Sequence, residues 1–375
     1  MKLLVVTPYY YPKIGGLENY ARQLGLALRR HENMEIAVVT SNEHGRRSVI
    51  EEIDGITVYR LPYWFKVSNT PVNPLWSLML RRIIAREHPD VIHAHSPVPT
   101  MADAAALAAG SLPFVVTYHA ATLYKAKAPV FNLMARLYKL YEARTLARAD
   151  KIFAVSSYVR DQLPKALRKK TVVMPNAVWA KEIKLRRQPS EERFIFIGSL
   201  DESHSWKGLE PVIQAIARYK VRYGGEPHLT VVGDGNARLR YQRLAMKLDL
   251  DQNITFSGAK VGSAKDALLS GATALVAYPT SGNDAFPTVF LEAWAKRVPV
   301  VAAAIGPIPS LIDDNVTGYL VRANDPDALA ERLYNLVNDK PGRSRVATQA
   351  AKLVRAHYTW ENQAQATAKE LGAYA

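Results

Sequence analysis

The sequence predicts an α/β protein built twice over: two doubly wound parallel-sheet domains facing across a cleft. Three observations carry that expectation. Short apolar runs alternate with amphipathic helical stretches along nearly the whole chain. The alternation breaks at a charged stretch without apolar period, residues 181–193 (KEIKLRRQPSEER), and then restarts. The length, 375 residues, suits two domains.

Each element follows in order. Residues 3–6 (LLVV) read as a strand, and 9–16 as a loop. Leu17, Tyr20, Ala21, Leu24, Ala27 and Leu28 then recur at helical spacing. Strands follow at 36–40 and 56–59, a helix over 75–87, strands at 90–93 and 114–117, a helix over 138–149, and strands at 151–155 and 171–174. Runs this short and this apolar belong to strands buried on both faces. After the charged linker, strands are expected at 194–197, 228–232, 254–256, 274–277 and 298–302, with helices between them. A last helix occupies the end of the chain. The expected domains are 1–182 and 190–357. Ligands of open α/β sheets bind at the carboxyl ends of the strands, so the cleft is the default site.

Composition narrows the class. The hydrophobic fraction is 48% and the charged fraction 22%, which excludes a disordered chain. No apolar run approaches the ~18 residues of a membrane helix, and the opening MKLLVVTP has too short an apolar core for a signal peptide. The chain has no cysteine, hence no disulfide, thiolate metal site or cysteine nucleophile, which fits a cytoplasmic protein. The net charge of +15 is uneven. Residues 1–187 hold 28 basic and 14 acidic side chains, whereas residues 188–375 hold 21 and 20. Such a basic half suits nucleic acid, an anionic membrane surface or a phosphorylated substrate.

Several stretches can carry chemistry. Gly15-Gly16 lies between the first strand and the first helix, where backbone can approach a ligand and free amides can meet an anion. A simple tight turn is the alternative, and no GxGxxG spacing supports a dehydrogenase-type dinucleotide site. Lys207 lies on a loop entering a helix and could neutralise a diphosphate. Gly233 lies in a turn at a strand's carboxyl end. Residues 279–292 (PTSGNDAFPTVFLE) are the most informative. Asp284 lies in the loop, Pro287 opens a helix, and Glu292 follows on it among apolar neighbours, where a carboxylate needs partners. Two carboxylates can accept hydrogen bonds from one polyhydroxyl ligand, while amides at Thr288 and Val289 suit a phosphate. Asp325 and Asp327 have the Asp-x-Asp form of a metal site but read as capping acids of a helix. His93 and His95 have too few further ligands nearby for zinc.

In this order the residues resemble glycosyltransferase family 4, of the GT-B fold. The motifs are Gly15-Gly16-Leu17-Glu18, the stretches 89–93 (PDVIH), 116–119 (VTYH), 149–156 (ADKIFAVS), Pro175-Asn176, Lys207-Gly208, 232–235 (VGDG), the paired acids, and 318–321 (GYLV). Tyr358-Thr359-Trp360 resembles the start of the family's last helix, so residues 358–375 are expected to pack back on the first domain. The resemblance implies a first domain for the acceptor, and a second for the donor. It implies transfer of a sugar from a nucleotide-diphosphate donor, a UDP- or GDP-sugar, with retention of configuration and without a metal or other cofactor. Asp284 would bind sugar hydroxyls and Glu292 the ribose. Lys207 would hold the diphosphate with Gly16 and the amides after Phe286, His119 would contact the sugar near the reaction centre, and Ala259, Lys260 and Val261 would line the base.

Two departures stand out. The first acid of the family's Glu-x7-Glu pair is Asp284, one methylene shorter. Ser199 occupies a position where the family often has arginine, and His204 is the candidate replacement, with an exposed loop histidine as the alternative. No protein nucleophile is evident, so a front-face displacement is expected, in which the leaving phosphate accepts the acceptor's proton.

The basic half allows two readings. Helical stretches 74–87 and 125–148 mix Arg81, Arg82, Arg86, Lys125, Lys127, Arg136, Lys139, Arg144 and Arg148 with apolar and aromatic residues. They are either packed helices with a solvated basic face or helices lying on an anionic membrane. On the second reading the protein is peripheral on the inner membrane face and its hydroxyl acceptor lipid-linked; otherwise the acceptor is a glycan. Alternative functions are another GT-B enzyme, such as an epimerase or phosphorylase, or a non-catalytic nucleic-acid binder, for which no motif speaks.

Overall fold

The computed structural model describes residues 1–13, 15–67, 70–120, 129–183 and 192–374, and no side chain of 129–131. The chain divides into two compact units, Met1–Asn176 with Trp360–Ala375, and Ala177–Thr359. Most of the expected charged linker lies outside the described residues.

The first unit is built on β1 (Lys2–Val6), β2 (Glu35–Ser41), β3 (Val49–Ile53), β4 (Ile56–Leu61), β7 (Val91–Ser96), β8 (Phe114–Tyr118), β9 (Lys151–Ala154) and β10 (Thr171–Val173). They form one sheet in the order β10-β9-β8-β7-β1-β2-β4-β3. A separate hairpin pairs β5 (Phe65–Val67) with β6 (Thr70–Val72). Leu3, Leu4, Val91, Ile92, Phe114 and Val115 are fully buried, as central strands covered on both faces require.

The sheet is parallel throughout, as expected, except at one edge. β3 runs antiparallel to β4 at the edge. Asp54 and Gly55 both have positive φ, 55° and 74°, the geometry of a two-residue hairpin turn. The first unit is completed by the helix Trp360–Leu371, which packs on the helix Gly16–His31. Trp360 is fully buried, with its ring edge-on to Tyr20 at 5.5 Å between centroids. Tyr20 in turn donates from its hydroxyl to the Met174 carbonyl at 3.2 Å.

The second unit carries β11 (Arg193–Ile197), β12 (His228–Val232), β13 (Ile254–Phe256), β14 (Ala274–Ala277), β15 (Val300–Ala303) and β16 (Tyr319–Val321), in the order β13-β12-β11-β14-β15-β16. Every pairing is parallel. β16 falls on the stretch read only as a motif in the sequence. Successive strands are added outward on one side from β11 to β13 and on the other from β14 to β16, so the strand order reverses between β11 and β14, the position where open α/β sheets bind ligands. Asp325 caps the helix Pro326–Asn338 through the Ala328 amide at 3.0 Å, as its capping assignment requires. Among the described residues no helix is long and apolar enough to cross a membrane.

Candidate active site

In the second unit the expected donor residues sit at the carboxyl ends of four adjacent strands. After β11 the chain runs through Ser199 into the short helix Glu202–Lys207. Gly208 ends that helix with φ 76°, and a Cβ there would stand 1.7 Å from the Tyr278 carbonyl oxygen. Only glycine permits this approach, which holds the Lys207 turn against the end of β14. After β12, the Gly233 amide donates to the Gly258 carbonyl at 3.0 Å. That bond ties the β12 turn to the exposed loop of Ala259, Lys260 and Val261 that follows β13. A Cβ on Gly233 would lie 1.8 Å from the Gly198 carbonyl oxygen, so packing between strand ends already demands glycine there.

Lys207, Asp284 and Val289 line one pocket, with Trp206, Ser281 and Pro307. Burial pushes the Asp284 carboxyl up, against the opposing pull of the Lys207 ammonium and the amides of Phe286 and Ala285. The Phe286 amide donates to Asp284 Oδ1 at 3.1 Å. That amide therefore braces the carboxylate rather than standing open to a phosphate. The next helix, Thr288–Ala295, has no side-chain cap, so its first amides at Thr288 and Val289 retain their donor capacity. Phe286 itself is buried and packs against Tyr358, with ring centroids 6.0 Å apart.

Glu292 is only partly buried, and its partner is Lys265. The ammonium lies 2.9 Å from Oε1 and 2.8 Å from Oε2. Ser199 and His204 come together, with Ser199 Oγ 3.3 Å from His204 Nδ1 and 2.9 Å from Asp201 Oδ2. Neither residue lines the pocket of Lys207 and Asp284.

In the first unit Gly15 and Gly16 open the helix Gly16–His31 at the end of β1. A Cβ on Gly15 would meet Glu18 Oε2 at 2.2 Å, whereas one on Gly16 would meet nothing within 4 Å. Among the described residues no contact requires glycine at position 16. His119 follows β8, and its Nε2 lies 2.8 Å from His95 Nδ1. Burial pushes the His119 imidazole down to about 3 and His93 to about 4, and holds His95 well below its ordinary range. All three rings are neutral at physiological pH. Among the described residues no group of three or more His, Asp or Glu could hold a metal ion.

The family described as Glycosyltransferase Family 4 matches residues 14–180, and the one described as Glycosyl transferases group 1 matches residues 178–353. The chain belongs to glycosyltransferase family 4. As a member of that family it is a glycosyltransferase, a transferase enzyme with two parallel-sheet α/β domains of the GT-B fold. A phosphatidyl-myo-inositol mannosyltransferase of Mycolicibacterium smegmatis is 26% identical over 366 residues, 96% of this chain and 90% of that protein. Among solved structures, a sucrose-phosphate synthase from Thermosynechococcus elongatus superposes with a TM-score of 0.78 at 20% identity, covering 100% of this chain and 99% of its own. The Anabaena protein HepE, solved in complex with UDP, gives 0.75 at 18% identity with both chains covered completely.

Two residues of this glycosyltransferase escaped the sequence reading. Lys265 lies on the helix Gly262–Gly271 and reaches Glu292 across 27 positions, a separation no local pattern reveals. In the sequence His95 suggests only a metal ligand, yet its partner is His119, since β7 and β8 pair with His95 opposite Thr117.

Proposed function

We propose that this glycosyltransferase moves a sugar from a nucleotide-diphosphate donor, a UDP- or GDP-sugar, to a hydroxyl acceptor, with retention of configuration and without a metal or other cofactor. The observation that carries the reading is the joint placing of Lys207 and Asp284 on one pocket beside an uncapped helix start. As the bond to the sugar breaks, negative charge grows on the leaving diphosphate and the sugar becomes oxocarbenium-like. The Lys207 ammonium and the Thr288 and Val289 amides stabilise that growing charge, a role otherwise filled by a bound cation. Asp284, braced by the Phe286 amide, accepts hydrogen bonds from sugar hydroxyls. Glu292, held by Lys265, does the same for the ribose, and the 259–261 loop receives the base. Gly15 and Gly16 approach the phosphates, and the neutral His119 meets the sugar. The departing phosphate oxygen takes the acceptor's proton as the acceptor oxygen attacks the same face, so the anomeric configuration is kept.

A lipid-linked acceptor at an anionic membrane surface is favoured over a free glycan. On the helix Pro129–Arg148, Leu133, Met134, Leu137, Leu140 and Tyr141 are exposed and share a face, with Arg136, Lys139 and Arg144 beside them. The lipid-directed name of the mycobacterial relative agrees. The other helix read as basic and amphipathic contributes less, because Trp76, Leu80 and Ile83 are core residues and Leu75 and Leu78 are its only exposed large apolar ones. Lys125 and Lys127 lie outside the described residues.

The deciding experiment is a panel of nucleotide sugars scored by thermal shift and by acceptor-dependent release of free nucleoside diphosphate, with EDTA present throughout. NMR of the product's anomeric centre then reads the configuration. Activity abolished by EDTA and restored by a divalent ion, or an inverted product, overturns the mechanism. Release of nucleotide without acceptor marks an epimerase or hydrolase instead. Co-sedimentation with vesicles containing phosphatidylglycerol, lost at high salt and in a Leu137→Ser/Leu140→Ser variant, tests the membrane face; equal binding by that variant refutes it.

A further inference from the structure

The histidines of the first unit form a built arrangement that goes beyond a single reactive residue. His93 and His95 lie on β7, and both are about 1% exposed. The His95 and His119 rings lie nitrogen to nitrogen, with centroids 5.1 Å apart and planes 25° from parallel. Tyr20 closes edge-on over both, at 5.9 Å from His95 and 4.9 Å from His119. With its Nε2 taken by His95, His119 keeps one nitrogen, Nδ1, for a substrate.

A neutral imidazole has one N–H and one bare nitrogen. The single proton between His95 Nδ1 and His119 Nε2 therefore decides what His119 offers. If His119 donates, its Nδ1 is a bare acceptor. If His95 donates, His119 Nδ1 carries the proton and is a donor. Among the described residues the His95 side chain hydrogen-bonds to no group but His119. No described residue partners its Nε2, and His95 is about 1% exposed whereas His119 is only partly buried, so an N–H without a protein partner is costlier on His95 Nε2 than on His119 Nδ1. A bare Nε2 leaves the His95 proton on Nδ1. His93 follows the same pattern. Its buried Nδ1 has no partner, while its Nε2 lies 2.6 Å from Thr117 Oγ1.

We propose that His95 is a positioning residue, which donates its Nδ1–H to His119 Nε2 and fixes His119 as the Nδ1–H tautomer, a hydrogen-bond donor to an oxygen of the substrate. The inference rests on the reading that His119 meets the donor sugar. In that setting a donor suits a sugar hydroxyl or a phosphate oxygen gaining charge, whereas a bare nitrogen would repel the latter.

The test has two readouts. Nitrogen-15 NMR of the histidine-labelled full chain, with His119 assigned by its loss in His119→Ala, is expected to give a protonated Nδ1 and a bare Nε2 at pH 7. The reverse pattern, or a mixture of both, overturns the proposal whatever the activity. Second, His95→Asn places an amide N–H where Nδ1 stood, and His95→Asp has the same shape but only accepts. The Asp variant is expected to turn over about tenfold or more slowly than the Asn variant, with the donor KM changed less than about threefold. Equal turnover in the two, or faster turnover by the Asp variant, overturns it. Full turnover in His119→Ala would instead remove His119 from the proposed site, while the NMR result still decides the tautomer.

Discussion

Replacing Gly16 by alanine should raise stability and lower activity together. Gly16 is the first residue of the helix Gly16–His31, is exposed, and has open space within 4 Å of where a Cβ would stand. Alanine fits helical backbone and narrows the unfolded ensemble, a gain of about 0.4–1 kcal/mol. For a unit of this size that is a rise in Tm of about 1–4 °C. On the proposed reading the donor's phosphates approach this backbone closely, and the added methyl group would crowd them. The specificity constant for the donor should fall at least about tenfold, roughly 1.4 kcal/mol of lost stabilisation. Melting curves with and without UDP or GDP, run beside initial rates over a range of donor concentrations, give both quantities from one preparation. Unchanged rates with the expected gain in Tm would show that no ligand comes within a methyl group's reach of position 16. A drop in Tm would refute the geometric premise itself. The paired Gly15→Ala variant must displace the Glu18 carboxylate and should not share the gain.

Lys207→Met keeps the aliphatic stem but removes the charge, and should cut turnover at saturating donor at least ~10²-fold with little change in Tm; near-normal turnover removes the lysine from the charge-stabilising role. Gly208→Ala should cost on the order of 2–4 kcal/mol in urea unfolding, since both its positive φ and the Tyr278 carbonyl oppose a side chain. Burial, aided by the Asp103 carboxylate, pushes the Glu142 carboxyl from 4.5 to about 7, against the Tyr118 hydrogen bond. The folded state then binds more protons than the unfolded state between those values. Stability accordingly falls as pH rises from about 4.5, and levels off above 7. Glu142→Gln should raise stability by about 3 kcal/mol at pH 8 and by little at pH 4; an equal effect at both pH values would show that Glu142 does not ionise differently on folding.

The two sheets were legible because buried parallel strands are written as short unbroken apolar runs, and 228–232, 254–256 and 274–277 match their strands without adjustment. The edge was harder. Val49 and Ile50 are exposed, so β3 has no buried face to impose a pattern, and only Asp54-Gly55 marked its hairpin. β16 is three residues long and too short for periodicity. In the site, Lys207 and Asp284 stood out by residue type in the loops after strands, and Glu292 on the helix that follows. Their supports did not, because Lys265 and His95 act over separations of 27 and 24 residues. The bond between the Phe286 amide and Asp284 was likewise hidden, since it depends on how the loop turns back on itself.

The helix Trp360–Leu371 has a consequence for how this protein is made. Most of the first unit, residues 1–176, is translated well before residues 360–375, which complete it. Until Trp360 arrives, the Tyr20 face of the helix Gly16–His31 has no cover, and Met174 lacks its neighbour Thr367. At typical synthesis rates the interval between residues 176 and 360 is about 10–40 s. Through that interval an unfinished amino-terminal unit waits with an apolar groove open. Arrival of residues 360–375, rather than completion of either sheet, then closes the core of the first unit, and loss of these sixteen residues would be felt first around Tyr20.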